Sequence, residues 1–295
     1  MLESRHGTPR GIPPVICMKL CENRYGKQRV RVLKILREPG FHSVKELTVS
    51  ALLHGDFSGA HLADDNSSIV PTDTVKNTVN VLAKQKLGKS TEAFAIALAD
   101  HFLAKYPHIE SADIDIKERP WLRMTVDGHP HPYSFIDRDQ GVPFTSLVRS
   151  HGSFTLWSGV TDLIVMKTTE AGFVGFPKCD LTTLKETNDR IVSTSMFARW
   201  QFTSLDVDHP ALNEKVMTTM LKVFATQFSP SVQRTLFQMG EAALEAVPEI
   251  AQIEMKMPNK HYLVIDLKPF GLENANDVFV PVDEPHGEIE AVIGR

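Results

Sequence analysis

One order of elements occurs twice along this chain, and that repetition constrains the fold more than any single motif. Residues 28–36 and 43–55 alternate in the manner of strands around a Glu38-Pro-Gly turn, the second carrying Val44, Leu47, Val49 and Leu53. Ile69-Val-Pro-Thr-Asp then opens a helix to about Lys86, with Thr72 or Asp73 suited to its N-cap. Ser90 or Thr91 caps a second helix, in which Phe94, Leu98 and Phe102 recur at helical spacing up to Tyr106. Residues 109–118 alternate again, and another strand surrounds Trp121 to Val126. The second half repeats the order, with strands near 152–157, 160–168 and 191–203, helices over 209–228 and 231–246, and strands over 249–257 and 261–267.

Each half therefore reads strand-strand-helix-helix-strand-strand, which predicts an α+β chain with antiparallel sheets and both helices of a unit on one face. The expected organisation is an N-terminal extension over residues 1–22, rich in Gly and Pro, a first unit over 23–140 and a second over 141–295. Two such units in tandem still leave sheet edges unpaired, so the sheets are expected to close into a barrel on oligomerisation.

Charge narrows the partners. A formal net charge of −4 gives no broad basic surface for nucleic acid or anionic membrane, so any anionic ligand must be caught by a few placed cations. The three cysteines, Cys17, Cys21 and Cys179, are too few and too odd for a secreted disulfide scaffold. Cys17 and Cys21 have the spacing of half a metal site, but no second pair follows. The longest apolar helical run, Ala93 to Ala99, is too short to cross a bilayer, and prolines break Ile12-Pro-Pro-Val-Ile where a signal peptide would be apolar. The chain ends Ile293-Gly-Arg, without a peroxisomal address, so the expected compartment is the cytoplasm.

The sequence offers no Cys-x-x-Cys, G-x-G-x-x-G, P-loop, His-Glu-x-x-His or Gly-x-Ser-x-Gly motif, so no metal and no cofactor is expected. His129-Pro-His131 puts two imidazoles on one strand face without a third ligand at a fitting spacing, and reads as a polar strand or hinge. Four segments stand out in combination: Tyr25-Gly-Lys27; Ile69-Val-Pro-Thr72-Asp73-Thr-Val-Lys-Asn; Phe173-Val-Gly-Phe with Thr182-Thr-Leu-Lys-Glu-Thr-Asn-Asp-Arg190; and Pro258-Asn259-Lys-His261-Tyr. Singly they read as a surface lysine, a helix cap, a strand-edge charge and a turn. In this order, the chain resembles the urate oxidase (uricase) family from about Tyr25 to its C-terminus.

The resemblance implies two tandem tunnelling-fold units per subunit, a homotetramer, and active sites at subunit interfaces. It implies cofactor-free oxidation of urate by dioxygen and water, giving 5-hydroxyisourate and hydrogen peroxide in purine degradation. Carried over position by position, the catalytic set is Lys27, Thr72 and His261. Urate would be held by Phe173, Arg190, Val232, Gln233 and Asn259, with Thr72 and Asp73 from the neighbouring subunit, and Ile289 in the pocket wall.

These residue types suit the chemistry. Urate is flat and anionic, so a ring such as Phe173 can stack on it while the planar fork of Arg190 grips one edge. Gln233 offers a donor and an acceptor to the opposite edge, and the helix start at Ser231-Val232-Gln233 presents free N–H groups to an anion. A threonine hydroxyl is too weak a base alone, whereas Thr72 beside a neutral Lys27, with His261 completing a relay, can take a proton from urate. The resulting dianion can itself donate an electron to dioxygen. Two other readings remain at this stage: a metal-dependent pterin or purine hydrolase, which needs a zinc triad, and a non-catalytic urate-binding oligomer.

Overall fold

The computed structural model describes residues 18–137 and 141–295. Cys17, and most of the extension expected over 1–22, lie outside the described residues. One ten-stranded sheet runs the length of the molecule. It begins with β1 (Tyr25–Glu38) and β2 (Phe41–Gly55), which pair antiparallel with a bulge between Lys27 and Val30. A short helix α1 (Ser58–Leu62) leads to α2 (Thr72–Lys86) and α3 (Thr91–Lys105). The chain re-enters the sheet as β3 (Ile109–Arg119), beside β2.

The next two strands, β4 (Trp121–Val126) and β5 (His129–Asp137), form a separate two-stranded sheet among the described residues. The place beside β3 is taken instead by β6 (Val142–Ser150). The strand around Trp121 is thus present but does not complete the first four-stranded set. β6 escaped sequence reading because it alternates polar and apolar residues only weakly, through Thr145, Ser146 and Arg149.

The second half follows the same plan. β7 (Phe154–Lys167) pairs with β6 and with β8 (Val192–Phe202). The expected strands 152–157 and 160–168 are one strand, bulged between Val160 and Leu163, where Asp162 takes φ 60°. A left-handed residue at a bulge reads as a turn in sequence. Helices α4 (His209–Thr226) and α5 (Val232–Ala246) precede β9 (Ile250–Lys256) on the C-terminal part of β8. β10 (Asn259–Val264) pairs with the N-terminal part of β8 and with β11 (Phe279–Gly287). β12 (Glu290–Gly294) returns to β9. Both halves therefore carry a hairpin between their third and fourth sheet strands, and the last expected strand, 261–267, belongs to that hairpin.

The alternation of the strands explains the core. Leu47, Val49, Ala51 and Leu53 of β2, Ile114 and Ile116 of β3, and Met196, Ala198 and Trp200 of β8 are buried. They form one cluster with Val75 and Val79 of α2, Phe94, Leu98 and Phe102 of α3, Val216 and Met220 of α4, and Leu236 and Met239 of α5. Fully burying one such side chain stabilises the fold by roughly 1.5–3 kcal/mol.

A polar seam joins the halves within this core. Glu92 of α3 is 2% exposed and accepts hydrogen bonds from Ser158 of β7 (2.6 Å), Asn213 of α4 (2.7 Å) and Ser90 (2.8 Å). Asn213 in turn accepts from the Trp200 indole at 2.8 Å. Burial pushes the Glu92 carboxyl up, but the hydrogen bonds outweigh burial and hold it below the usual glutamate range. Among the described residues, no helix is long and apolar enough to cross a membrane.

Candidate functional site

The residues singled out in the sequence fall into two groups, each built by its own local structure. The first is at the start of β1. Gly26 is required there, because a Cβ would lie 2.0 Å from the Ala51 carbonyl oxygen. Lys27 follows at the bulge, where Arg29 takes φ 58°, and is half-buried. The Tyr25 hydroxyl accepts from the Val70 N–H at 2.6 Å, and its ring stands edge-on to Phe57 at 4.6 Å. This anchor fixes Ile69-Val70-Pro71, and so the start of α2, against the strand that carries Lys27.

Pro71, with no side-chain hydrogen bond to the helix, occupies the N-cap of α2. The expectation that Thr72 or Asp73 caps the helix is corrected: both lie inside its first turn, and both are exposed. The extended backbone of Pro71 starts the helix at Thr72, at least one residue earlier than the Thr-Asp pair suggests. Asp73 pairs with Lys76 and accepts from Asn77 at 2.9 Å. Its carboxyl is held below the usual range, chiefly by Lys76 and to a smaller degree by the charge of Lys27. Lys27 and the helix start thus share one electrostatic neighbourhood within a single chain.

The second group surrounds the irregular stretch between β7 and β8. Gly172 donates to the Ser229 carbonyl at 2.9 Å, and Phe173 exchanges backbone hydrogen bonds with Thr187 at 2.7 and 3.1 Å. A Cβ at Gly172 would meet the Thr187 carbonyl oxygen at 2.9 Å, so the close approach needs glycine. These pairings bring Phe173 towards Ser229 and the start of α5, and towards Arg190 on the far side of Thr187. The Arg190 guanidinium carbon lies 5.4 Å from the centre of the Phe173 ring. Arg190 is half-buried, and burial lowers its pKa; its Nε is buried without a hydrogen-bond partner among the described residues. A desolvated guanidinium with an unmet donor is suited to an anionic, planar acceptor.

Ser231 caps α5 by accepting from the Arg234 N–H at 3.1 Å. The N–H groups of Val232 and Gln233, in the first turn, have no intrahelical acceptor. The Val232 side chain is buried in the core at 3% exposure, so only its backbone can meet a ligand, whereas Gln233 is exposed. Asn259 stands between Thr194 of β8 and Gly287 of β11, and His261 lies opposite Val282 just beyond a bulge. Arg190, Asn259 and His261 line one cleft of about 280 Å³, which Lys27, Thr72, Asp73, Phe173, Val232 and Gln233 do not line. The Ile289 carbonyl accepts from the Met257 N–H at 2.8 Å, and its side chain packs against the core. Among the described residues, no three His, Cys, Asp or Glu side chains group so as to hold a metal ion. His129 and His131 lie on β5, with the His131 ring against Tyr133 at 4.6 Å.

The family model described as Uricase matches the chain over residues 23–148 and 156–290. The chain belongs to the uricase family. The uricase of Oryctolagus cuniculus is 40% identical over 278 residues, covering 92% of this chain and 93% of that one. The uricase of Arthrobacter globiformis is 39% identical over 277 residues, covering 94% and 90%. The crystal structure of uricase from Arthrobacter globiformis matches with a TM-score of 0.89 at 38% identity, over 95% of this chain and 96% of that chain. At 22% identity, a uricase from Bacillus fastidious shares the fold with a TM-score of 0.79, over 92% and 93% of the two chains.

The break between the two stretches matched by the uricase model falls at the turn from β6 to β7. Sequence reasoning gave no role to Tyr25, although it stands in the quoted motif, because a long-range hydrogen bond to Val70 leaves no local pattern. It also passed over Phe176, whose ring is stacked on Phe173.

Proposed function

We infer that this chain is a urate oxidase, converting urate, dioxygen and water to 5-hydroxyisourate and hydrogen peroxide without metal or organic cofactor. The observation that carries this reading is the meeting of the Phe173 ring with the half-buried, under-bonded Arg190 guanidinium, in a chain of the uricase family. Urate stacks on Phe173, Arg190 grips one edge through its fork, and the opposite edge meets Gln233 and the free N–H groups of α5. Asn259 and Thr72 hold dioxygen or water over the ring.

The Thr72 hydroxyl, acting together with the Lys27 amino group, removes a proton from the urate monoanion, and His261 completes the relay. The dianion passes one electron to dioxygen, and the radical pair then collapses. Oxygen from water ends on carbon five, and the two-electron reduction of dioxygen yields peroxide. Because the substrate is the reductant, no redox cofactor is needed. A metal-dependent hydrolase would need a ligand triad, and no such group occurs among the described residues.

Each complete site is proposed to draw on two chains of a homotetramer, with Lys27, Thr72 and Asp73 from one and Phe173, Arg190, Val232, Gln233, Asn259 and His261 from its neighbour. Two features support this. Lys27 is only half-buried in one chain, and among the described residues β1 stands at the edge of the sheet. The fold reading that goes with it is a pair of tunnelling-fold units whose sheets close into a barrel on assembly. Since β6 pairs with β3 as the fourth strand of the first set, we place the boundary at the β6–β7 turn rather than at residue 140. The exposed free thiols of Cys21 and Cys179 favour a reducing compartment, the cytoplasm.

Mixing the purified protein with urate in air tests the reading. Loss of urate absorbance with formation of one peroxide per urate supports it. Unchanged urate, or loss of urate without oxygen consumption, contradicts it.

A further inference from the structure

Phe176 has no part in the site as described so far, yet its position is specific. Its ring lies parallel to that of Phe173, with centroids 5.0 Å apart and planes 12° apart. An offset stack of this kind covers one face of Phe173 and leaves a flat ligand only the other. The Arg190 guanidinium carbon, at 5.4 Å from the Phe173 centroid, is too distant to be in face-on contact, which needs about 3.5–4 Å, so it does not close that second face.

The chain around Phe176 is braced. Gly175 takes φ +74°, a turn conformation open to glycine at no steric cost, and its N–H donates to Glu186 Oε1 at 3.0 Å. Lys178 pairs with the same Glu186 oxygen at 3.3 Å, and its ammonium lies 5.8 Å from the centre of the Phe176 ring. Glu186 directly precedes Thr187, the residue that exchanges backbone hydrogen bonds with Phe173. One short circuit of contacts therefore holds both rings: Phe173 through Thr187, and Phe176 through Gly175, Glu186 and Lys178.

We propose that Phe176 is a positioning residue, a back-stop that fixes the plane of Phe173 so that the purine's stacking surface is formed before substrate arrives. The proposal rests on the reading that urate stacks on Phe173. A lone phenylalanine turns about its side-chain torsions, and a ligand that must first stop that motion binds more weakly. With Phe176 behind it the ring is already set. The effect acts on binding of substrate and transition state alike, so it is expressed in KM more than in kcat.

Steady-state kinetics with urate on Phe176→Ala, Phe176→Tyr and Phe173→Leu, together with the Phe173→Leu/Phe176→Ala double variant, test the proposal. Phe176→Ala raises KM roughly 3- to 10-fold, the worth of one aromatic pair, with kcat within about twofold of the parent. Phe176→Tyr, which restores a ring, returns KM to the parental value. In the Phe173→Leu background, loss of Phe176 has no further effect, because its action passes through Phe173. Glu186→Gln weakens the brace without removing a ring and shifts KM in the same direction by about twofold. An unchanged KM in Phe176→Ala, or the same fold-increase with and without Phe173, overturns the back-stop and leaves urate oxidation standing. An unchanged KM in Phe173→Leu overturns the stacking reading itself, and the back-stop with it.

Discussion

The two groups of site residues are built from opposite materials. Around Lys27 the first half offers an amine, a hydroxyl and a carboxylate, all at least partly open to solvent, at a helix start capped by Pro71 alone. Around Phe173 the second half offers a ring, a half-buried guanidinium with an unmet donor and a serine-capped helix start. The first set has the amine and hydroxyl proposed for proton transfer. The second has the ring and the guanidinium proposed to hold a flat anion. In the proposed reading, binding and base catalysis are divided between the halves of the chain, and a working site requires both.

The largest effects should come from the proton-transfer side. Lys27→Ala and Thr72→Ala are each expected to lower turnover by roughly 10²–10⁴-fold, the usual worth of a general base. If the two residues act as one unit, the double variant is little worse than either single one. Stopped-flow or steady-state assays that find the two losses fully additive would break the pairing of amine with hydroxyl.

The two groups also differ in how far the sequence revealed them. The four long helices, β1 to β3, β8 and β9 were legible, while β7 was read as two strands; Phe94, Leu98 and Phe102 keep helical spacing and Ala112, Ile114 and Ile116 keep strand spacing. The fourth sheet strands were not. Trp121–Val126 and Asn259–Val264 look like the next strands but belong to hairpins, and the partners of β3 and β9 come later in the chain. Register is a long-range property that local alternation does not carry. Lys27, Thr72 and Arg190 were singled out through resemblance, since each alone reads as an ordinary surface or cap residue. Glu92 was invisible for a related reason: in sequence it is an acidic residue in a first helical turn, and its partners Ser158 and Asn213 are far along the chain.

That seam gives the next test, because it holds the two halves of one chain in a fixed relation. Glu92→Ala removes the acceptor shared by Ser158 and Asn213 and should cost at least about 2 kcal/mol in denaturant unfolding at neutral pH. The Glu92 carboxyl is held low in the folded state, so its contribution is full above the ordinary glutamate range and is lost as pH falls through the lowered value. His209, buried beside it, is held low chiefly by desolvation, and it likewise favours the folded state at neutral pH and penalises it as acid charges the unfolded chain. Stability should therefore fall from about pH 6 downward, and the Glu92→Ala variant should fall less through the acid glutamate range. An unfolding curve with the same acid dependence in parent and variant would remove Glu92 from the seam.

A smaller effect is expected on the binding side. Arg190→Lys keeps the charge but loses the planar fork, so KM for urate should rise by about tenfold, with a lesser change in kcat. An unchanged KM would make Arg190 a structural residue and leave the second group without its cation.

The division of labour between the halves is tested most directly by complementation. Lys27→Ala and Arg190→Ala variants, each inactive alone, are co-expressed and the mixed oligomers purified. If each site takes Lys27 from one chain and Arg190 from another, a mixed pair holds one doubly defective site and one intact site. Random assembly then restores about a quarter of parental activity. If one chain supplied both residues to its own site, no mixture could assemble an intact one. Well-folded mixed oligomers with no more activity than the separate variants would contradict the shared site.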